Sequence, residues 1–125
     1  SDISGFPFEN MEDLQVGYYD PGNFFKPHYD QCESNEKWCH ATTYPRGGPR
    51  VYTFLMYLND GFEGGYTNFT KLNKKFKLNP GDTIFFHNLD KKQEKVHSLS
   101  MHEGTELKSG EKWIATIWVR EKKFR

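Results

Sequence analysis

Among the side chains able to do chemistry, two imidazoles and a carboxylate stand out: His28 and Asp30 flank Tyr29, and His102 lies far downstream, ten residues before Lys112. Two histidines and one carboxylate on one face of a metal leave the opposite coordination positions open. That is the ligand set of a non-haem Fe(II) centre that activates dioxygen. The triplet alone is a weak pattern, so its meaning depends on what the rest of the chain does with it. In an extended strand alternate side chains share a face, so His28 and Asp30 could grip one ion while Tyr29 points elsewhere. The same parity places Lys112, Ile114, Thr116 and Trp118 together, setting a cation and a hydroxyl on one inner wall. A dicarboxylate that chelates a metal at one end needs such a cation at the other. Lysine serves as a point charge, although arginine is the better bidentate clamp.

The elements that must position these residues read as strands and turns. Residues 14–19 form a strand, Pro21-Gly22-Asn23 a turn, and 24–30 a second extended segment carrying both His28 and Asp30. Residues 31–49, with Pro45, Gly47, Gly48 and Pro49, read as a long polar loop of the kind that serves as a lid or binding loop. The strongest strand is 51–58, followed by a glycine-rich turn at 59–65 with acidic Asp60 and Glu63. Short strands follow at 66–70 and 75–78, a tight turn at Asn79-Pro80-Gly81-Asp82, and a strand at 83–87. A charged turn at 88–94 leads to the last two strands, 96–102 and 113–120, separated by a loop at 104–110. Helix is minor; residues 8–14 could make one turn. Many short strands with frequent turn signals predict a mainly β fold, a sandwich or jelly roll.

Composition sets the outer limits. At 125 residues the chain is expected to be one domain, 1–125. Lys plus Arg balance Asp plus Glu at 17 each, so no charge excess points to nucleic acid or a membrane surface. The 11 Phe, 7 Tyr and 3 Trp suit sheets better than a helical bundle. No apolar run approaches the roughly 20 residues that span a bilayer, and no signal peptide opens the chain. A soluble protein is expected, with its compartment and oligomeric state left open. The chain opens at Ser1 without an initiator Met, as though mid-domain.

Cys32 and Cys39, seven apart, fit either a small disulfide loop or two free thiols. A zinc site with His40 is a sharper but poorer alternative, since neither a C-x2-C pair nor a fourth ligand is present. His40, His87 and His97 read as surface or hydrogen-bonded histidines. His97 competes best with His102, but only His102 is followed by Gly104 and by Lys112 at the right spacing. The lysines at 71, 74, 75 and 77, those at 91, 92 and 95, and the basic C-terminal tail read as solvated faces rather than a polyanion site.

The ordered blocks resemble a known family. Leu14-Gln15-Val16-Gly17-Tyr18-Tyr19 with Pro21-Gly22 and Pro27-His28-Tyr29-Asp30 is similar to the start of the catalytic domain of prolyl 4-hydroxylases, members of the Fe(II)/2-oxoglutarate dioxygenase superfamily. The likeness continues through Gly48-Pro49-Arg50-Val51-Tyr52-Thr53-Phe54-Leu55-Met56-Tyr57-Leu58-Asn59, Gly64-Gly65-Tyr66-Thr67-Asn68-Phe69 and Pro80-Gly81-Asp82 with Phe85-Phe86. It ends with His102-Glu103-Gly104, Gly110-Glu111-Lys112-Trp113 and Ile117-Trp118, covering nearly the whole chain.

This resemblance implies a double-stranded β-helix with iron at its open end. It implies His28, Asp30 and His102 as the iron triad and Lys112 as the partner of the distal carboxylate of 2-oxoglutarate. Tyr19, Tyr57, Thr67 and Thr116 fall where the cosubstrate pocket is lined in such enzymes, and Trp118 near the metal or the substrate entrance. It further implies Fe(II), 2-oxoglutarate and O2, with ascorbate as a reductant, and hydroxylation of a peptidyl or procollagen proline at its 4-position with release of succinate and CO2. Asp30 fits a hydroxylase, since related halogenases carry a small residue there. Departures from the pattern are Tyr66, where many members have Glu, and the composition of residues 31–46; that loop and the turn at 60–65 are expected to select the substrate. Helices that support the sheet in related enzymes are expected upstream of Ser1. The same machinery acting on another side chain or a small molecule is the nearest alternative. A non-catalytic jelly-roll binding module is the other, although it has no physical need for an open metal site and a buried cation together.

Overall fold

Val51, Thr53, Leu55 and Tyr57 are buried while Tyr52, Phe54 and Met56 between them are more exposed, and this two-residue period builds the central strand. The structure, a computed structural model, describes residues 8–32, 37–90 and 95–124. After a 3-10 turn at Phe8–Asn10 come β1 (Gln15–Tyr19), β2 (Phe25–His28), a short helix α1 (Lys37–Thr43) and a 3-10 turn at Tyr44–Arg46. Then follow β3 (Arg50–Tyr57), β4 (Phe62–Gly64), β5 (Thr67–Phe69), β6 (Lys74–Phe76) and β7 (Thr83–His87). A 3-10 turn at Ser98–Ser100 precedes β8 (His102–Gly104), β9 (Leu107–Gly110) and β10 (Lys112–Arg120).

The strands form a four-stranded sheet in the order β1-β10-β3-β7, a second in the order β2-β8-β5-β6, and a short pair β4-β9. Every ladder is antiparallel. The large sheets face each other as a double-stranded β-helix, a jelly roll. Phe86 of the first packs edge-on against Phe69 of the second at 5.2 Å, and the Tyr57 hydroxyl meets Thr67 Oγ1 at 2.8 Å. Leu55, Tyr57, Phe62 and Leu107 make the core, with Tyr19, Leu78 and Ile114 packed around it. No helix among the described residues is long and apolar enough to cross a membrane.

Three expectations need correction, and the open question of the two cysteines is decided. The polar stretch 31–49 contains α1, because Cys39 and Thr43, four residues apart, present one buried face of a helical turn. Cys32 and Cys39 form a disulfide, which consumes both sulfurs and removes the free-thiol and zinc readings. The expected strand 96–102 is interrupted by the 3-10 turn. There His97 Nδ1 accepts from the Leu99 amide and the Ser100 hydroxyl donates to the His97 carbonyl, local bonds that compete with a ladder. Finally, the turn at 59–65 and the loop at 104–110 contain β4 and β9, paired so closely that a Cβ on Gly64 would stand 2.5 Å from the Glu106 carbonyl and one on Gly110 2.5 Å from that of Gly61. Residues 1–7, Lys91, Lys92, Arg125 and the side chain of His40 lie outside the described residues.

Candidate active site

His28 ends β2 and pairs across the ladder with His102, which opens β8, so sheet register alone sets the two imidazoles side by side with ring centroids 4.3 Å apart. Asp30 lies beyond the end of β2 rather than on it, in a bend that brings its carboxylate back over both rings. Its Oδ1 stands 3.3 Å from His28 Nε2 and 3.3 Å from His102 Nε2. These three ligand atoms lie within 4.8 Å of one another.

Both histidines are oriented in the same way. His28 Nδ1 donates to the Lys26 carbonyl at 2.8 Å and His102 Nδ1 to that of Ser100 at 2.8 Å. With Nδ1–H committed, each Nε2 presents its lone pair inward, the arrangement metal-ligating histidines adopt. Two lone pairs and a carboxylate oxygen converging on one point repel unless a positive charge lies between them. The site therefore fits a divalent cation with imidazole and carboxylate preference. A proton on an imidazole can supply that charge as well: burial alone would raise the Asp30 carboxyl, but hydrogen bonds from His102 and His28 in their protonated form, the charge of His102 and the Thr53 hydroxyl hold it well below the usual carboxylate range. Burial would lower His102, yet its contact with Asp30 and the Ser100 carbonyl raise it.

The other carboxylate oxygen is held by the protein. Asp30 Oδ2 accepts from the Thr53 hydroxyl at 2.7 Å and from the Trp118 indole at 3.1 Å. Arg50 stacks over the Trp118 ring at 3.9 Å, and Glu12 pins Arg50 and Arg120 with nitrogen–oxygen distances of 2.6 and 2.7 Å. Neither Thr53 nor the Glu12 network emerges from motif reading. The available signal was parity: a threonine facing inward between Val51 and Leu55 needs a polar partner.

Lys112 lies at the other end of the same cavity, whose volume is about 770 Å³. It is 1% exposed, and its ammonium sits 4.6 Å from the Tyr19 ring centre and 5.3 Å from that of Tyr57. No carboxylate among the described residues pairs with it, and burial lowers its pKa to about 8. Tyr19, Thr67 and Thr116 share the cavity wall with Lys112. Tyr57 does not reach the wall; fully buried behind it, its hydroxyl joins Thr67 and the Phe76 carbonyl, at 2.8 and 3.1 Å. Burial raises both tyrosines, so they stay neutral. His97 is occupied in its own turn, and His87 packs against Tyr52 and Phe85, so neither joins the triad.

A two-histidine, one-carboxylate cluster at one end of a jelly-roll cavity, with a buried cation at the other, defines a non-haem iron oxygenase architecture. Residues 14–120 match the model of the 2OG-Fe(II) oxygenase superfamily, and the chain belongs to that family. It is 46% identical over 118 residues to a protein of Acanthamoeba polyphaga mimivirus named for prolyl 4-hydroxylase, covering 94% of this chain and 48% of the relative. Prolyl 4-hydroxylase 1 of Arabidopsis thaliana is 38% identical, with 96% of this chain and 44% of the relative covered. Among solved structures, the viral collagen prolyl hydroxylase of Paramecium bursaria Chlorella virus-1, in its 2-oxoglutarate complex, superposes with a TM-score of 0.74 at 36% identity, covering 91% of this chain and 61% of that one. The chain thus spans about half the length of the curated relatives it matches. The family is one of Fe(II), 2-oxoglutarate and O2, in keeping with the donor set and the free cation.

Proposed function

We propose that the protein is an Fe(II)- and 2-oxoglutarate-dependent dioxygenase that hydroxylates prolyl residues at the 4-position in a peptide or protein, releasing succinate and CO2. The observation that carries this reading is the pairing, in one cavity, of the converging His28, Asp30 and His102 donors with a buried Lys112 that has no counter-ion among the described residues. The prolyl specificity draws on the relatives named for that activity.

In this reading His28 Nε2, Asp30 Oδ1 and His102 Nε2 would hold Fe(II). When bound there, the metal would supply dioxygen activation coupled to oxidative decarboxylation of 2-oxoglutarate, one oxygen atom entering succinate and the other converting a substrate C–H to C–OH. The chain's own residues do the positioning. Lys112 takes the distal carboxylate as a point charge, and Tyr19 and Thr67 offer hydroxyls along the wall, with Tyr57 fixing Thr67 from behind. Thr116 adds a hydroxyl on the β10 face of Lys112, while Leu55 and Ile114 make part of the wall apolar and keep water out. The segment around α1 and the turn before β5, where Tyr66 stands, select the substrate.

The test is a proline-containing peptide library incubated with Fe(II), 2-oxoglutarate, O2 and ascorbate as reductant, read by mass spectrometry. A gain of one oxygen on proline, with stoichiometric succinate, is the expected result. Oxygen gained on another residue would move the substrate but keep the chemistry. Iron-loaded protein that never releases succinate with any peptide would sink the enzyme reading.

A further inference from the structure

Behind Asp30 runs a polar relay that motif reading does not reveal. Asn88 Nδ2 donates to Thr53 Oγ1 at 2.8 Å, and Thr53 Oγ1 donates to Asp30 Oδ2 at 2.7 Å. Asn88 and Thr53 are both fully buried. The Asn88 backbone is clamped on both sides, its amide donating to the Val51 carbonyl at 2.9 Å and its carbonyl accepting from the His97 amide at 2.9 Å. The Cα–Cβ bond therefore leaves the chain at a fixed place. The relay has a direction, because an amide NH2 only donates, and this leaves the single hydroxyl proton of Thr53 for the carboxylate. A reversed amide would take that proton and leave two oxygen lone pairs facing each other across 2.7 Å.

This orientation has a cost, since Asn88 Oδ1 is buried with no hydrogen-bond partner among the described residues. An orphaned buried acceptor is destabilising, and leucine, the apolar isostere, would avoid it. Packing therefore does not account for an asparagine here.

We propose that Asn88 and Thr53 are positioning residues that hold Asp30 as a one-oxygen metal ligand. With Oδ2 occupied by Thr53 and Trp118, only Oδ1 faces the imidazoles. A carboxylate free to rotate would offer both oxygens and fill a coordination position that the cosubstrate and dioxygen need. The inference rests on the reading of His28, Asp30 and His102 as metal ligands, and it concerns the denticity of Asp30 alone.

The probe is Co(II), whose visible d–d absorption reports coordination number and whose affinity is measured by titration without turnover. His102→Ala is the control for the ligand reading: if it binds Co(II) like the parent protein, that reading fails, whatever the relay does. With the control abolishing binding, Thr53→Val should weaken Co(II) binding by about 10- to 100-fold, in the range of outer-shell substitutions, and change the d–d spectrum. Thr53→Ser should restore both. Asn88→Leu should weaken Co(II) several-fold while its thermal midpoint stays level or rises, a split that a purely structural role would not produce. Unchanged affinity and spectrum in Thr53→Val overturns the proposal, as does an Asn88→Leu protein that loses stability with Co(II) binding intact. Should Thr53→Val not fold, the Asn88→Leu measurement decides alone.

Discussion

The two ends of the cavity are built on opposite principles. At the triad end almost every polar atom has a protein partner: both Nδ1 atoms donate to carbonyls, Asp30 Oδ2 accepts twice, and Oδ1 sits between two Nε2 atoms. At the other end Lys112 is buried against two aromatic rings, with no carboxylate among the described residues beside it. One end is organised before anything binds. The other is held in an unfavourable state that a ligand's carboxylate would relieve, so there the protein invests stability directly in recognition.

The largest expected effect breaks the organised end. His102→Ala should abolish measurable succinate release and Fe(II) retention, assayed by turnover and by metal analysis after desalting. If His102→Ala kept activity and His97→Ala lost it, the third ligand would be misassigned.

The next effect sharpens the contrast at Lys112. A lysine whose folded pKa is about 8, against 10.5 unfolded, opposes folding by about 3 kcal/mol at neutral pH. Lys112→Met should therefore raise apo stability in urea titrations while increasing the KM for 2-oxoglutarate at least 10-fold. The sign with pH follows: between about 8 and 10.5 the unfolded chain binds the extra proton, so this group's contribution to apo stability improves as pH rises through that window. Bound 2-oxoglutarate should abolish that rise by keeping the ammonium protonated, as melting midpoints with and without the cosubstrate would show.

A smaller effect returns to the triad end. The Cys32–Cys39 disulfide closes a short loop just after Asp30, and Gln31 reaches the Cys32 carbonyl. Cys39→Ser should cost about 2 kcal/mol and loosen metal binding, leaving the Lys112 end unaltered. Equal losses at both ends would contradict the division. The smallest effect is that of Tyr57→Phe, which removes the bonds to Thr67 and Phe76 for about 1 kcal/mol and raises the KM for 2-oxoglutarate only a few-fold.

Much of this was legible in the residue pattern, because parity and order are local. The strand at 83–87 matches β7, the inner face of Lys112, Ile114, Thr116 and Trp118 lines the cavity, and the jelly-roll fold follows from many short strands. Trp118 stands beside Asp30, its indole donating to Oδ2. What escaped depends on long-range closure. β4 and β9 have three and four residues and exist only because each supplies the other's ladder. α1 is too short for a helical period to be visible. Asp30 was expected on a strand, yet it converges with His28 only because the chain bends after that residue. Thr53 and Asn88 look like ordinary polar residues until the distance across 35 positions is known.

Strand β10 carries Lys112 near its start and Trp118 six residues on, and its pairing with β3 runs from Ile114 to Val119 before any register shift. It acts as a ruler. One inserted residue would invert the faces and expel either the cation or the indole from the cavity. Two would restore parity but move the cation by about 7 Å. The spacing of the two ends of the cavity is thereby set by a backbone that changes only in steps larger than one carbon–carbon bond, so substitutions along the walls retune the pocket without moving either end.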